Sequence, residues 1–159
     1  MEKLRQAEEL DIEYLAQCFV NISRFTQAQA SDPYIDGLPT EVDVQTRQFA
    51  SRYVNHDDAI ALIAEIQGVP AGAILAKVGG SSFPPGYQGK AGYISVCWVE
   101  EAFQQQGIGR RLLTEVERWL IRQQAGIVEL SYLAQNHTAE KTWQQLGFEP
   151  FRVSAYKKL

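Results

Sequence analysis

The stretch VEEAFQQQGIGRRLL, residues 99–113, constrains this chain more than any other. An apolar run over residues 93–99 leads into it, and Leu112, Leu113, Val116, Trp119 and Leu120 lead out at helical spacing. The pattern predicts a strand, a tight loop and an amphipathic helix, with Gly107 and Gly109 at the helix start. The first amides of a helix have no intrahelical acceptor and lie at the positive end of its dipole, so they hold anions well. Glycine lets a ligand approach that backbone closely and accepts dihedrals that side chains resist. The stretch reads as a strand-loop-helix that seats a pyrophosphate; the plainer alternative is a glycine-rich turn before an ordinary helix.

Two other phosphate loops fit less well. A Walker loop needs Lys-Ser or Lys-Thr after its second glycine, and Arg110-Arg111 follows Gly109. A dinucleotide fingerprint needs a third glycine where Leu112 stands, and it opens a domain's first strand rather than lying two-thirds along the chain.

Gln104-Gln105-Gln106-Gly107-Ile108-Gly109 after a strand resembles the Arg/Gln-x-x-Gly-x-Gly/Ala signature of the GNAT superfamily of acyl-CoA-dependent N-acetyltransferases. Downstream, residues 136–148 (NHTAEKTWQQLGF) resemble that family's Asn-x-x-Ala-x-x-x-Tyr-x-x-x-Gly-Phe segment, with Trp143 in place of the tyrosine. The strong part of the match covers residues 91–148. The resemblance implies one α/β domain over residues 1–159, a mixed twisted sheet whose central strands splay apart, flanked by about four helices. It implies acetyl-CoA as acyl donor, with pantetheine along the open strand edge at Trp98 and Val99 and pyrophosphate on the loop formed by Gln104, Gln105, Gln106, Gly107, Ile108, Gly109 and Arg110. Asn136, at a strand-to-helix junction, caps the helix, contacts pantetheine in the family's manner, or does both.

Composition agrees with such a domain. The 159 residues suffice for one sizeable core, and 45% hydrophobic with 21% charged residues is ordinary for a soluble globule. A net charge of −4 argues against a nucleic-acid binder and suits a cationic amine substrate. Cys18 and Cys97 are too few for a disulfide framework, and two histidines without ligand spacing predict no metal site. With no apolar signal core and no run of membrane length, the expectation is a cytoplasmic protein without a membrane partner. Homodimers are frequent in the family, yet no feature of the sequence fixes one.

Along the chain, residues 4–7 read as a strand, and Asp11 as the cap of a helix with Ile12, Leu15, Ala16 and Phe19 on one face. Residues 31–40 read as a loop, and Thr40 with Asp43 as a capping pair for a helix over residues 42–54. Residues 59–66 and 71–78 form a hairpin, residues 79–90 a loop, and residues 91–99 a central strand apolar on both faces. The motif helix runs to about Gln124; a strand over 127–133, a helix over 137–146 and a last strand over 152–157 follow.

The catalytic groups are less plain. The family's tyrosine hydroxyl sits by the thioester sulfur and protonates the departing thiolate; the indole of Trp143 is no usable acid, so it steadies the thiolate or simply walls the pocket. The family's strand carboxylate is missing too, because residues 91–99 hold no Asp or Glu. Tyr93 and Ser95 alternate onto one face and are candidates to order a relay water, while the Val99 N–H is the candidate oxyanion donor. Glu65, Glu100 and Glu101 are alternative bases or solvated acids; Tyr132 lines the cleft or packs, and Arg111 and Lys141 reach phosphates or solvent. Asp32, Asp36, Glu41 and Asp43 with Phe25, Tyr34, Phe83 and Tyr87 suit an amine-bearing acceptor or form ordinary polar loops. Two functions follow: acetyl transfer to a primary amine by direct attack, or an acyl-CoA sensor that kept the cradle and lost the chemistry.

Overall fold

The computed structural model describes residues 2–79 and 89–159. Phe83 and Tyr87 lie outside the described residues. Five strands form one sheet in the order β1-β2-β3-β4-β5: Glu2–Gln6, Ala59–Ile66, Val69–Val78, Lys90–Val99 and Ala125–Glu129. The first four pair antiparallel, while β4 and β5 run parallel. Helices α1 (Ile12–Gln27) and α2 (Val44–Ser51) cover one face; α3 (Ile108–Arg122) and α4 (His137–Gln145) cover the other.

The sequence dictates this layering. β2 and β3 alternate their buried residues between two cores: Ala61, Ile63, Ala73 and Leu75 face α1 and α2, while Ile60, Leu62, Ile74 and Ala76 face α3. The many alanines let both helix layers approach closely. The two strands join through Gln67 and Gly68, both at positive φ, the two-residue turn whose twist suits a hairpin. Pro70 is tolerated because the register shifts there, so Ala71 stands opposite no β2 residue. On α3, Ile108, Leu112, Leu113, Val116 and Leu120 make the buried stripe. Gly92 lets that stripe sit down, since a Cβ there would lie 2.5 Å from the Leu120 side chain.

Four expectations need correction. Residues 152–157 form no strand; residues 149–159 are exposed and irregular, tied down by Arg152 to Glu129 at 3.5 Å and by an edge contact of Tyr156 with Tyr34. The ladder they would join is short, because β5 ends at Glu129 instead of 133. The cap of α2 is Asp43 paired reciprocally with Thr46, not Thr40 with Asp43. Asp11 precedes α1 without capping it, because its carboxylate is taken by Arg5 and the Glu8 amide. No helix among the described residues is long and apolar enough to cross a membrane.

Candidate functional site

The sheet opens where its one parallel pair stops. β4 and β5 are in register from Lys90↔Ala125 to Tyr93↔Glu129, and beyond that point β4 runs on to Val99 with no β5 partner. The gap is a cleft of about 230 Å³, walled by residues 94–98 of β4, residues 130–133, and Asn136, Ala139 and Trp143. Ile22, Phe25 and Thr26 of α1 close it from the other layer. Phe25, Ser95, Trp98, Tyr132, Asn136 and Trp143 therefore converge from three distant segments.

The free edge of β4 presents donors to this gap. Glu100 N donates to Ala71 O at 2.9 Å, so backbone groups of even-numbered residues here point to β3. By antiparallel alternation the N–H groups of Val99 and Cys97 point the opposite way, into the splay. The Val99 carbonyl confirms the direction, accepting from Gln104 Nε2 at 3.1 Å. Cys97 lies within the cleft wall and Val99 just beyond it.

Deeper along β4 the register shifts between Leu75↔Val96 and Ala76↔Ile94, leaving Ser95 as a bulged residue. Its hydroxyl accepts from the buried Tyr53 hydroxyl at 2.6 Å. Desolvation pushes the Tyr53 phenol above its ordinary value, so it donates as a neutral group. Tyr93 is on the same side and donates to Ser131 Oγ at 3.3 Å. Tyr53 was not singled out from sequence; it lies 42 positions from Ser95 and only the packing of α2 joins them.

At the other end of the cleft, Gly107 caps α3 with φ +79° and no side chain to occupy the leading amides. The first intrahelical bond runs from Arg111 N to Gly107 O at 3.1 Å, so the amides of Ile108, Gly109 and Arg110 have no helical acceptor. Gln105, at φ +59°, and Gly107 together curl the loop. Arg111 Nη2 donates to Gln106 O at 3.0 Å and folds its guanidinium beside Gly107. A Cβ on Gly109 would meet Val99 Cγ2 at 3.8 Å, which sets the helix start directly against the strand end. Gln104, Gln105, Gln106, Gly107 and Arg110 are exposed.

Other candidates are employed elsewhere. Asn136 Oδ1 accepts from Ala139 N at 2.9 Å and caps α4 while it lines the cleft. Trp143 packs edge-on against Phe148, its ring centroid 5.3 Å away. Glu65 pairs with Arg5 at 2.6 Å on the β1 side of the sheet, remote from the cleft. Glu100 accepts from Tyr14 at 3.1 Å, and Glu101 is exposed. Asp32 caps its own turn, accepting from the amides of Tyr34 and Ile35, and Asp36 accepts from Ser31. Lys141, Glu41 and Tyr34 are exposed. No carboxylate lines the cleft among the described residues.

The fold has many solved likenesses. A Bacillus halodurans protein superposes with a TM-score of 0.82 at 18% identity, covering 99% of both chains. A GCN5-related N-acetyltransferase from Ralstonia eutropha gives 0.77 at 17%, again over 99% of each. AAC(6')-Iy, solved with the bisubstrate analogue CoA-S-monomethyl-acetylneamine, gives 0.72 at 20%, covering 100% of this chain and 99% of its own. The family model of the GNAT acetyltransferases matches residues 22–148, spanning the open strand, the glycine loop and the Asn136 helix. This chain belongs to the GNAT acetyltransferase family.

Proposed function

We propose that the protein transfers an acetyl group from acetyl-CoA to a primary amine by direct attack. The observation that carries this is the cleft opened by the end of β4–β5 pairing at Tyr93↔Glu129, with the leading amides of α3 at its rim. Acetyl-CoA supplies the acyl group as a thioester. The chain supplies an anion cradle at residues 104–110, an open strand edge for pantetheine at Val99 and Cys97 (the backbone of Trp98, expected there from the resemblance, is turned to β3), and Asn136 nearby. The N–H of Val99, and that of Cys97 inside the cleft, are the donors for charge developing on the carbonyl oxygen.

Direct attack fits the side chains. Cys97 is the thiol in the cleft wall, and burial pushes it up to about 12, so at neutral pH it stays a protonated, poor nucleophile. Proton removal falls to water ordered by Ser95 and Tyr93, because no carboxylate lines the cleft among the described residues. The amine must arrive neutral, so the rate climbs with pH until the amine is deprotonated. Trp143, held by Phe148, walls the thioester end.

An acyl-CoA sensor is the second reading, favoured by that same lack of an acid or base in the cleft. A screen separates the two. Acetyl-CoA raises the melting temperature under both readings, by mass action on the native state. Release of free CoA with any amine in a panel of polyamines, aminoglycosides, amino acids and peptides establishes the transferase. Binding without release across the panel establishes the sensor, and no binding sinks both.

A further inference from the structure

A second cavity, of about 300 Å³, opens on the α2 side of the sheet beside the cleft. Phe49 and Tyr53 give it an aromatic wall; Arg52, His56, Asp58 and Lys77 give it a polar one. Register fixes its position. Lys77 stands opposite Tyr93, two residues before Ser95; Tyr53 lines the cavity, and its hydroxyl donates to Ser95, a residue of the cleft wall. The two spaces therefore meet at this side-chain pair. The cavity is at the opposite end of β4 from the α3 amides, so the pyrophosphate loop does not serve it.

Its charge departs from that of the chain. The protein has a formal net charge of −4, whereas this wall sets two permanent cations against one carboxylate. Arg47, on the same helix as the start of this wall, is held by both oxygens of Glu13. Among the described residues no carboxylate pairs with Arg52 or Lys77; Lys77 Nζ lies 5.9 Å from the Tyr93 ring centroid. A guanidinium and an ammonium beside aromatic surface suit a carboxylate on an apolar body. Asp58 leaves a surplus of one positive charge among the three, which suits a monoanion better than a phosphate dianion.

We propose that this cavity is an acceptor subsite: it binds the carboxylate of an amino acid-like substrate whose amine reaches the cleft at Ser95. The proposal rests on the transferase reading above. Ser95 lies two residues along β4 from Tyr93, the register partner of Lys77, so amine and carboxylate are set apart along the strand. An acceptor with an apolar spacer, which Phe49 and Tyr53 can flank, suits that separation better than an α-amino acid, whose two groups share one carbon.

The test compares 4-(aminomethyl)benzoate with its neutral twin, 4-(aminomethyl)benzamide, and with spermidine, in the parent and in Arg52→Gln and Lys77→Gln. These side chains are exposed, so the variants fold. The acid should show a KM roughly 10- to 100-fold below that of the amide. Each variant should raise the KM of the acid toward that of the amide while leaving the amide and acetyl-CoA unchanged. Equal KM for acid and amide, variants that shift both alike, or preference for spermidine would overturn the subsite. If no CoA is released with any of them, calorimetric titration of acid and amide into the CoA-loaded protein decides. Tighter binding of the acid, lost in Arg52→Gln, supports the subsite although the transferase reading has failed, and equal or absent binding refutes it.

Discussion

Gly107 offers a sharp test of the cradle because the molecule contains its own control. Gly107 has φ +79° at the start of α3, and Gly68 has φ +80° in the β2–β3 turn, so valine meets the same left-handed backbone at both. A Cβ at Gly68 meets nothing within 4 Å, and one at Gly107 meets only the tip of Arg111 at 3.0 Å, which can move. Each substitution should therefore cost about 1–3 kcal/mol of backbone strain. For a chain of this size that lowers the melting temperature by roughly 2–12 °C. Affinity for CoA should separate them. At Gly107 a side chain crowds an anion's approach to the leading amides of α3, and losing one charge-assisted contact, about 1.5–3 kcal/mol, weakens binding roughly 10- to 100-fold. Gly68→Val should bind CoA like the parent. Calorimetric titration below both melting points reads the difference. If folded Gly107→Val matches Gly68→Val in affinity, the loop is a turn and the anion argument is wrong.

Other substitutions probe the remaining parts. Trp143→Phe should cost less than tenfold in turnover, since packing against Phe148 survives; a loss of ~10²-fold in a folded variant would give the indole a chemical role. Trp143→Tyr should keep CoA affinity and raise turnover by supplying a phenolic acid; steady-state CoA release measures both. Gly92→Ala should destabilise by about 1–3 kcal/mol in denaturant unfolding, because its Cβ would lie 2.5 Å from Leu120 and lift α3; an unchanged midpoint would show that the layer yields freely. Arg5 holds Asp11 below the ordinary aspartate value of 3.8, chiefly by hydrogen bonding to its carboxylate. A depressed folded-state value stabilises above the unfolded value, and that stability is lost as pH falls through the folded one. The parent should therefore lose stability below about pH 4, and Asp11→Asn should flatten that part of the curve; an unaltered acid limb would place the acid sensitivity elsewhere.

How much of this was legible in the chain depended on the range of the interaction. The elements that lay open were those whose signals are local: the apolar runs of β2 and β3, the helical stripe from Ile108 to Leu120, and the glycines that start it. The cap of Asn136 was legible for the same reason, since its partner Ala139 lies three residues on. Misplaced elements were those whose ends are decided elsewhere. Residues 130–133 are as apolar as a strand should be, yet they pair with nothing on β4, because the splay ends the ladder at Tyr93↔Glu129. Residues 152–157 alternate like a strand, but alternation specifies a face and supplies no edge to pair with.

The chemistry of the site hid behind still longer separations. Glu65 was eligible as a base until Arg5, 60 residues away, neutralised it on the wrong side of the sheet. Ser95 looked like one half-buried hydroxyl among several. Its bulge depends on a register shift against β3, and its bond to Tyr53 depends on the docking of α2, neither of which leaves a periodicity to read. The same docking sets Arg52 beside Lys77. Acid in the loops around residues 32–43 pointed to a cationic acceptor, but Asp32 and Asp43 are spent on capping backbone amides. An acid that satisfies its own turn offers little to a ligand, whereas two cations with no carboxylate partner among the described residues offer a great deal. On that balance the acceptor is better sought among amines that also carry a negative charge than among polycations.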